Sequence, residues 1–491
     1  MLAVAVHGYH PYAEDGGLYL AGVKKLLRPE LYPQWSEFVT EHLRFSLFAP
    51  LVAGLVRETH LNVMTVMLVL HVASFWLTLF AAWQLAARCF ASREARCGAV
   101  ALLATWLTIP VAGTSLMLMD PYVSARSLST PCGLLALVGM LDFMSTRRTP
   151  GLQRWWGLAL CSGALVLAGL MHPLMAAYAL GSVLLLACSM IEDRAARLAG
   201  MTGLCAIAVS MAAVLGWMAP AESADYVRVE MTRSYWFVSK WAWYEQFGLV
   251  APLVILGVVG LRRKDSSLAA LARVGLMAGG TALVVTILFA RVGSATHLVA
   301  RLQPLRMFQM VYIVMILVVG AALGERFLRR QPLRWVATFA LLGGVMFYAQ
   351  RQTFPGSAHV ELRGSEARNG WEEAFEWIKS HAPVDARFAV DARYIEAPGE
   401  DAQTFRAIAE RSVLPDYSKD GGEAAITPEL TAAWMNGERA QVGLNTETDA
   451  DRVEALSPLG VDWVVLERQA ATGFRCEFED AAVKVCRLPK E

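Results

Sequence analysis

The 491-residue chain is 56% hydrophobic and 18% charged, too apolar for one soluble globule, because lipid-facing helices need long uncharged runs. Its net charge of +1 hides a split: residues 351–491 carry 26 acidic and 16 basic side chains, against 17 acidic and 28 basic before them. The basic residues sit in short loops between apolar runs and not on one extended face, which excludes a nucleic-acid partner.

In chain order, residues 1–6, Met-Leu-Ala-Val-Ala-Val, read as the last turn or two of a helix, too short to cross a bilayer or to serve as a signal peptide. Two origins stay open: a start site set too late, with a first span upstream, or a genuine start with a frayed end. The run Leu43 to Val56 is short and interrupted by Pro50, and counting it as a span would invert every later loop, so it reads as an interfacial helix. Ten apolar runs follow, near 62–87, 98–118, 128–144, 155–171, 173–191, 198–219, 248–261, 268–290, 305–325 and 333–350, most of them close to the ~20 residues a bilayer requires.

Alternate loops hold the positive charge: Arg88, Arg93 and Arg96; Arg147, Arg148 and Arg154; Arg194 and Arg197; Arg262, Arg263 and Lys264; Arg326, Arg329, Arg330 and Arg334. The positive-inside rule makes these five loops cytoplasmic. The segment before residue 62, the loops 119–127, 172, 220–247 and 291–304, and everything after 350 then face outside. The expected architecture is an α-helical polytopic membrane protein of about ten spans. Residues 1–61 form an outer segment with interfacial helices, 62–350 the membrane domain and 351–491 a small extracytoplasmic α/β domain.

In that tail, periodicity predicts a helix around Trp371 to Ser380, strands near Arg387 to Asp391, Asp462 to Leu466 and Phe474 to Arg487, and a helix after Thr448. Asp449-Ala-Asp451 follows Thr448 and reads as a helix cap. Six of the eight cysteines lie in or beside apolar runs at irregular spacing, which signals no metal cluster. Cys476 and Cys486 flank the predicted hairpin; a disulfide and two reduced thiols are both compatible with that spacing.

The segment His7-Gly-Tyr-His-Pro-Tyr-Ala-Glu-Asp-Gly-Gly-Leu-Tyr-Leu sets Glu14 and Asp15 side by side at the outer mouth of a helix. Carboxylates at a membrane boundary are costly unless solvated or used. Here, and in the layout of interfacial helices, spans and outer tail, the chain resembles the GT-C class of membrane glycosyltransferases, which take a sugar from a polyprenyl-phosphate carrier. The resemblance implies an inverting transfer at the cytoplasmic (inner) membrane to a glycan, lipid or protein acceptor of the cell envelope. Asp15 would be the base, and Glu14 its neighbour or a metal ligand. It further implies that Asp120, in the second outer loop, helps hold a divalent cation, Mg or Mn, as sole cofactor. Arg291, His297, Arg301 and Arg306 would be the late cations that grip lipid phosphate.

Each residue also has a plainer reading. Glu14 and Asp15 could cap a helix starting at Gly16, and Asp120 could end a helix before Pro121. Arg126 could meet phosphate or snorkel to headgroups, and the late arginines could anchor there too. His172, between two apolar runs, could line the cavity or simply precede the helix-starting Pro173. The aromatics of 220–247 suit sugar stacking and, more commonly, interface anchoring. A different class also fits: a non-catalytic lipid-glycan transporter or an assembly subunit. Against transport, few ionisable residues lie deep in the spans, His71 being the exception.

Overall fold

The computed structural model describes residues 1–106, 111–145, 152–262, 266–362, 369–396 and 404–489. Arg147, Arg148, Arg263 and Lys264, which carried part of the orientation argument, lie outside them. The N-terminal segment opens with α1 (Leu2–His7) and α2 (Glu14–Leu27), then the single turn α3 (Glu37–Thr40) and α4 (Phe48–Thr59). The stretches Glu37–Phe45 and Phe48–Thr59 meet at 98°, so the run around Pro50 is not a straight span.

The membrane domain holds α5 (Val63–Cys89), α6 (Arg93–Thr105), α7 (Ala125–Ser145), α8 (Leu152–Met171), α9 (Pro173–Ser189) and α10 (Arg194–Met218). After the short α11 (Ala224–Met231) come α12 (Trp243–Arg262), α13 (Ser267–Phe289), the one-turn α14 (Leu298–Arg301), α15 (Phe308–Leu323) and α16 (Pro332–Thr353). Among the described residues seven stretches are long and apolar enough to cross a membrane: α5, α7, α10, Trp243–Leu261, α13, Leu298–Leu328 and α16. The chain is thus a multi-pass membrane protein. The other three apolar runs differ from the ten-span expectation. Trp155–Met171 and Pro173–Ser189 are helical but shorter. The run 98–118 yields only the 13-residue α6, about 20 Å long at 1.5 Å per residue, and Ala112 and Ser115 beyond it take positive φ.

Glycine sets the closest helix contacts. A Cβ on Gly98 would collide with the Gly320 carbonyl, and one on Gly324 with the Glu94 carbonyl, so α6 lies backbone to backbone on α15. Gly139 and Gly157 do the same for α7 and α8. Small residues let dispersion act at short range where no hydrophobic effect drives helices together.

The tail begins with α17 (Gly370–His381) and β1 (Arg387–Val390), then α18 (Phe405–Ala409), β2 (Ser412–Val413), α19 (Lys419–Ile426) and α20 (Thr431–Gln441). It closes with α21 (Asp449–Leu456), β3 (Trp463–Glu467), β4 (Cys476–Glu479) and β5 (Val483–Arg487). Thr448 caps α21 in a reciprocal box with Asp451, and Cys476 and Cys486 form a disulfide across β4 and β5. The sheet order is β2-β1-β3-β5-β4, with β1 parallel to both neighbours and β5 antiparallel to both of its own. Trp371, Phe375, Phe388, Phe405 and Val485 form its core with α17. The tail docks on the N-terminal segment: Tyr9 bridges Val360, and His10 Nδ1 lies 2.5 Å from Glu361 Oε1.

Candidate active site

The site forms where α2, the loop before α7 and the tail meet. Glu14 starts α2 with φ 50°, a strained value for a residue with a Cβ, of the kind that collects at functional sites. Gly16 and Gly17 follow because nothing larger fits: a Cβ on Gly16 would press on the Tyr122 ring, and one on Gly17 on Thr404 of the tail. His10 N–H donates to the Pro121 carbonyl at 2.6 Å and fixes the loop before α7 against the loop before α2.

Asp15 keeps 37% of its side-chain surface open, enough to meet a substrate. Arg126 Nη1 stands 3.6 Å and Lys419 Nζ 3.8 Å from its carboxylate oxygens. Burial pushes the Asp15 carboxyl up, but Lys419, Arg126 and Arg306 together outweigh it and hold the group below the usual aspartate value. Arg126, in the first turn of α7, is buried and donates to Asp120 Oδ2 from Nη2 at 2.9 Å and Nε at 3.3 Å. Asp120 itself is buried, and that burial raises its carboxyl despite the arginine.

Lys419, the first residue of α19, bonds Glu14 as well as facing Asp15. Its ammonium is held above the usual lysine value: burial opposes this, and Glu14 and Asp15 prevail. One turn on, burial and the nearby Asp420 and Asp15 push Glu423 up to about 8. Arg306, in the turn Pro304–Met307, is half-buried and within electrostatic reach of Asp15 and Asp120, while its buried Nε has no partner. A crevice lined by Arg306, Thr130, Met175, Tyr178, Met310 and Ile313 leads from it between α7, α9 and α15.

Six of the residues expected from sequence therefore converge: Glu14, Asp15, Asp120, Arg126, Arg306 and His172, the last within electrostatic reach of Arg306, Arg126 and Asp15. The four late cations do not form one cluster. Arg291 is exposed, and His297 and Arg301 turn away to Glu222 and Glu230. Of the residues expected to hold a divalent cation, Glu14 bonds Lys419 and Asp120 bonds Arg126 through Oδ2, while the buried Asp120 Oδ1 accepts no hydrogen bond. Lys419 and Glu423 were not readable in advance, because nothing local marks a lysine in an acidic tail as the partner of residues some 400 positions earlier.

Taken together, the chain is a multi-pass α-helical membrane protein whose carboxylate–cation site is closed by its C-terminal α/β domain. No protein-family model and no curated protein matches it. Its structure is similar to two cryo-EM structures of the arabinofuranosyltransferase AftD from Mycobacteria, one of them a point mutant, at 15% identity and TM-scores of 0.48 and 0.46. All of this chain aligns with 41% and 39% of those chains, so it spans less than half of their length.

Proposed function

We propose that the protein is an inverting membrane glycosyltransferase that moves a sugar from a polyprenyl-phosphate donor to an extracytoplasmic glycan, lipid or protein acceptor. The observation that carries this reading is an open carboxylate, Asp15, faced by cations from three separate elements, one of which, Arg306, carries a buried Nε without a partner. Inverting transfer needs both halves of that arrangement: a base for the acceptor hydroxyl and positive charge for the departing phosphate.

In this reading Asp15 takes the acceptor proton as its oxygen attacks the anomeric carbon. The bond from that carbon to the phosphate oxygen breaks, and its electron pair leaves with polyprenyl phosphate. Arg306 and Lys419 meet the charge. The same cations that hold Asp15 low are those the phosphate would neutralise, so donor binding itself strengthens the base. No step is routed through a metal ion.

The test is release of labelled sugar from polyprenyl phosphate by purified protein. Asp15→Asn is expected to lower turnover by roughly 10²- to 10⁴-fold, the usual contribution of a general base, while retaining donor binding. Unchanged turnover would remove Asp15 from the mechanism, and donor binding without turnover by the wild type would move the reading to a carrier or assembly subunit.

A further inference from the structure

A second cluster lies outside this site, where α11 meets the segment leading to Arg306. His297 Nδ1 is 2.9 Å from Glu222 Oε2 and 3.1 Å from Glu230 Oε2, and the three groups place their donor atoms within 4.8 Å of one another. We propose that Glu222, Glu230 and His297 form a binding site for a divalent transition ion of the manganese-to-zinc series.

Four features support it. First, the His297 ring is oriented from behind: Nε2 faces the Val292 carbonyl at 3.2 Å, which turns Nδ1 towards the two carboxylates. Metal-binding imidazoles are held in this way through their other nitrogen. Second, Glu222 is oriented through the oxygen it does not turn to the histidine, since its Oε1 accepts from Arg301 Nη2 at 2.9 Å and Thr296 Oγ1 at 3.2 Å. Third, Glu230 is fully buried, yet its Oε1 accepts no hydrogen bond. Its nearest cation, Arg301 Nη2, is 3.7 Å away, and the Tyr226 hydroxyl donates instead to the Ala425 carbonyl at 2.6 Å. A buried carboxylate oxygen in that state is expensive. Fourth, the three donor atoms all lie within 4.8 Å of one another, near enough for one ion to touch all three.

The donor chemistry selects the ion. One imidazole with two carboxylates suits manganese, iron or zinc, whereas magnesium and calcium prefer oxygen throughout. The site would fasten Ala224–Met231 to the segment that continues, nine residues after His297, to Arg306.

The experiment uses the full chain in detergent, stripped with chelator and dialysed against Mn²⁺, Zn²⁺, Ca²⁺ or Mg²⁺ in turn, with bound metal counted by mass spectrometry. One Mn²⁺ or Zn²⁺ per chain is expected, with affinity at least about tenfold above that for Ca²⁺ or Mg²⁺. Glu230→Gln and His297→Gln should each lose it. Retention by the variants equal to that of wild type, or no stoichiometric uptake by wild type, overturns the proposal. A reading on wild type alone guards against variants that fail to fold: Co²⁺ should show visible d–d absorption distinct from that of the aqueous ion, and its absence counts against the site. None of these readouts requires sugar transfer, so they stand apart from the proposed enzymatic activity.

Discussion

Asp15 and Lys419 define the site at the residue scale, and they differ in how far sequence reveals them. Asp15 was legible because a carboxylate pair before Gly-Gly, at the head of an apolar segment, has few inexpensive uses. Asp120 and Arg126 were legible as the charged ends of the next outer loop. Lys419 was not, since a lysine before Asp420-Gly-Gly carries no local signal of a partner in the first helix. Its role has a pH signature. Lys419 is the foremost cation holding Asp15 below the usual range, so Lys419→Ala should raise the Asp15 pKa and move the acid limb of the kcat/KM profile to higher pH, with Lys419→Arg restoring it. An acid limb that stays in place would mean that Lys419 is structural only. Glu423 gives an independent check on stability. Its carboxyl rises from the ordinary 4.5 to about 8, so between these values the folded protein keeps a proton that the unfolded chain has lost. Stability must therefore fall as pH climbs through that window. Glu423→Gln should remove this loss, with a melting midpoint that gains on wild type as pH goes from about 4 to about 8.

Elements were legible wherever a single period ran uninterrupted. α5, α10 and α13 follow their apolar runs closely, and β3, β5 and the cap at Thr448 fall where alternation and capping chemistry put them. The run 98–118 misled because hydropathy does not register where backbone leaves the helix: α6 ends at Thr105 with Trp106 extended, and Ala112 and Ser115 further on take positive φ. α18, α19, α20 and the two-residue β2 went unpredicted, being short elements stabilised by packing and not by their own periodicity. The backbone contact of α6 with α15 was equally hidden, because a glycine in an apolar run looks the same whether it faces lipid or another helix. It makes a sharp test: Gly320→Val places branched carbon where the Gly98 carbonyl and Ala99 now sit. Thermal melting in detergent should show a loss of roughly 1–3 kcal/mol, the usual effect of overpacking, whereas Gly344→Val, where a Cβ meets nothing, should be near neutral.

For the whole molecule, the orientation proposed here puts the tail on the outer face. Gln469, exposed in the turn after β3, offers a handle, and the six free cysteines described are buried or half-buried. Gln469→Cys in intact cells should react with a membrane-impermeant maleimide above the wild-type background. Labelling seen only after lysis would reverse the topology, and with it the side on which Asp15 works. The union of tail and membrane domain at the site also governs when the site comes into being. Glu14 and Lys419 are 405 residues apart in the chain, so a ribosome delivers the carboxylates early and the ammonium only when most of the protein is already inserted. Throughout that interval Glu14 and Asp15 lack the lysine that pairs with them. A nascent or prematurely terminated chain therefore holds Glu14 and Asp15 without Lys419, and the site takes its full form only once the tail has been made and has docked.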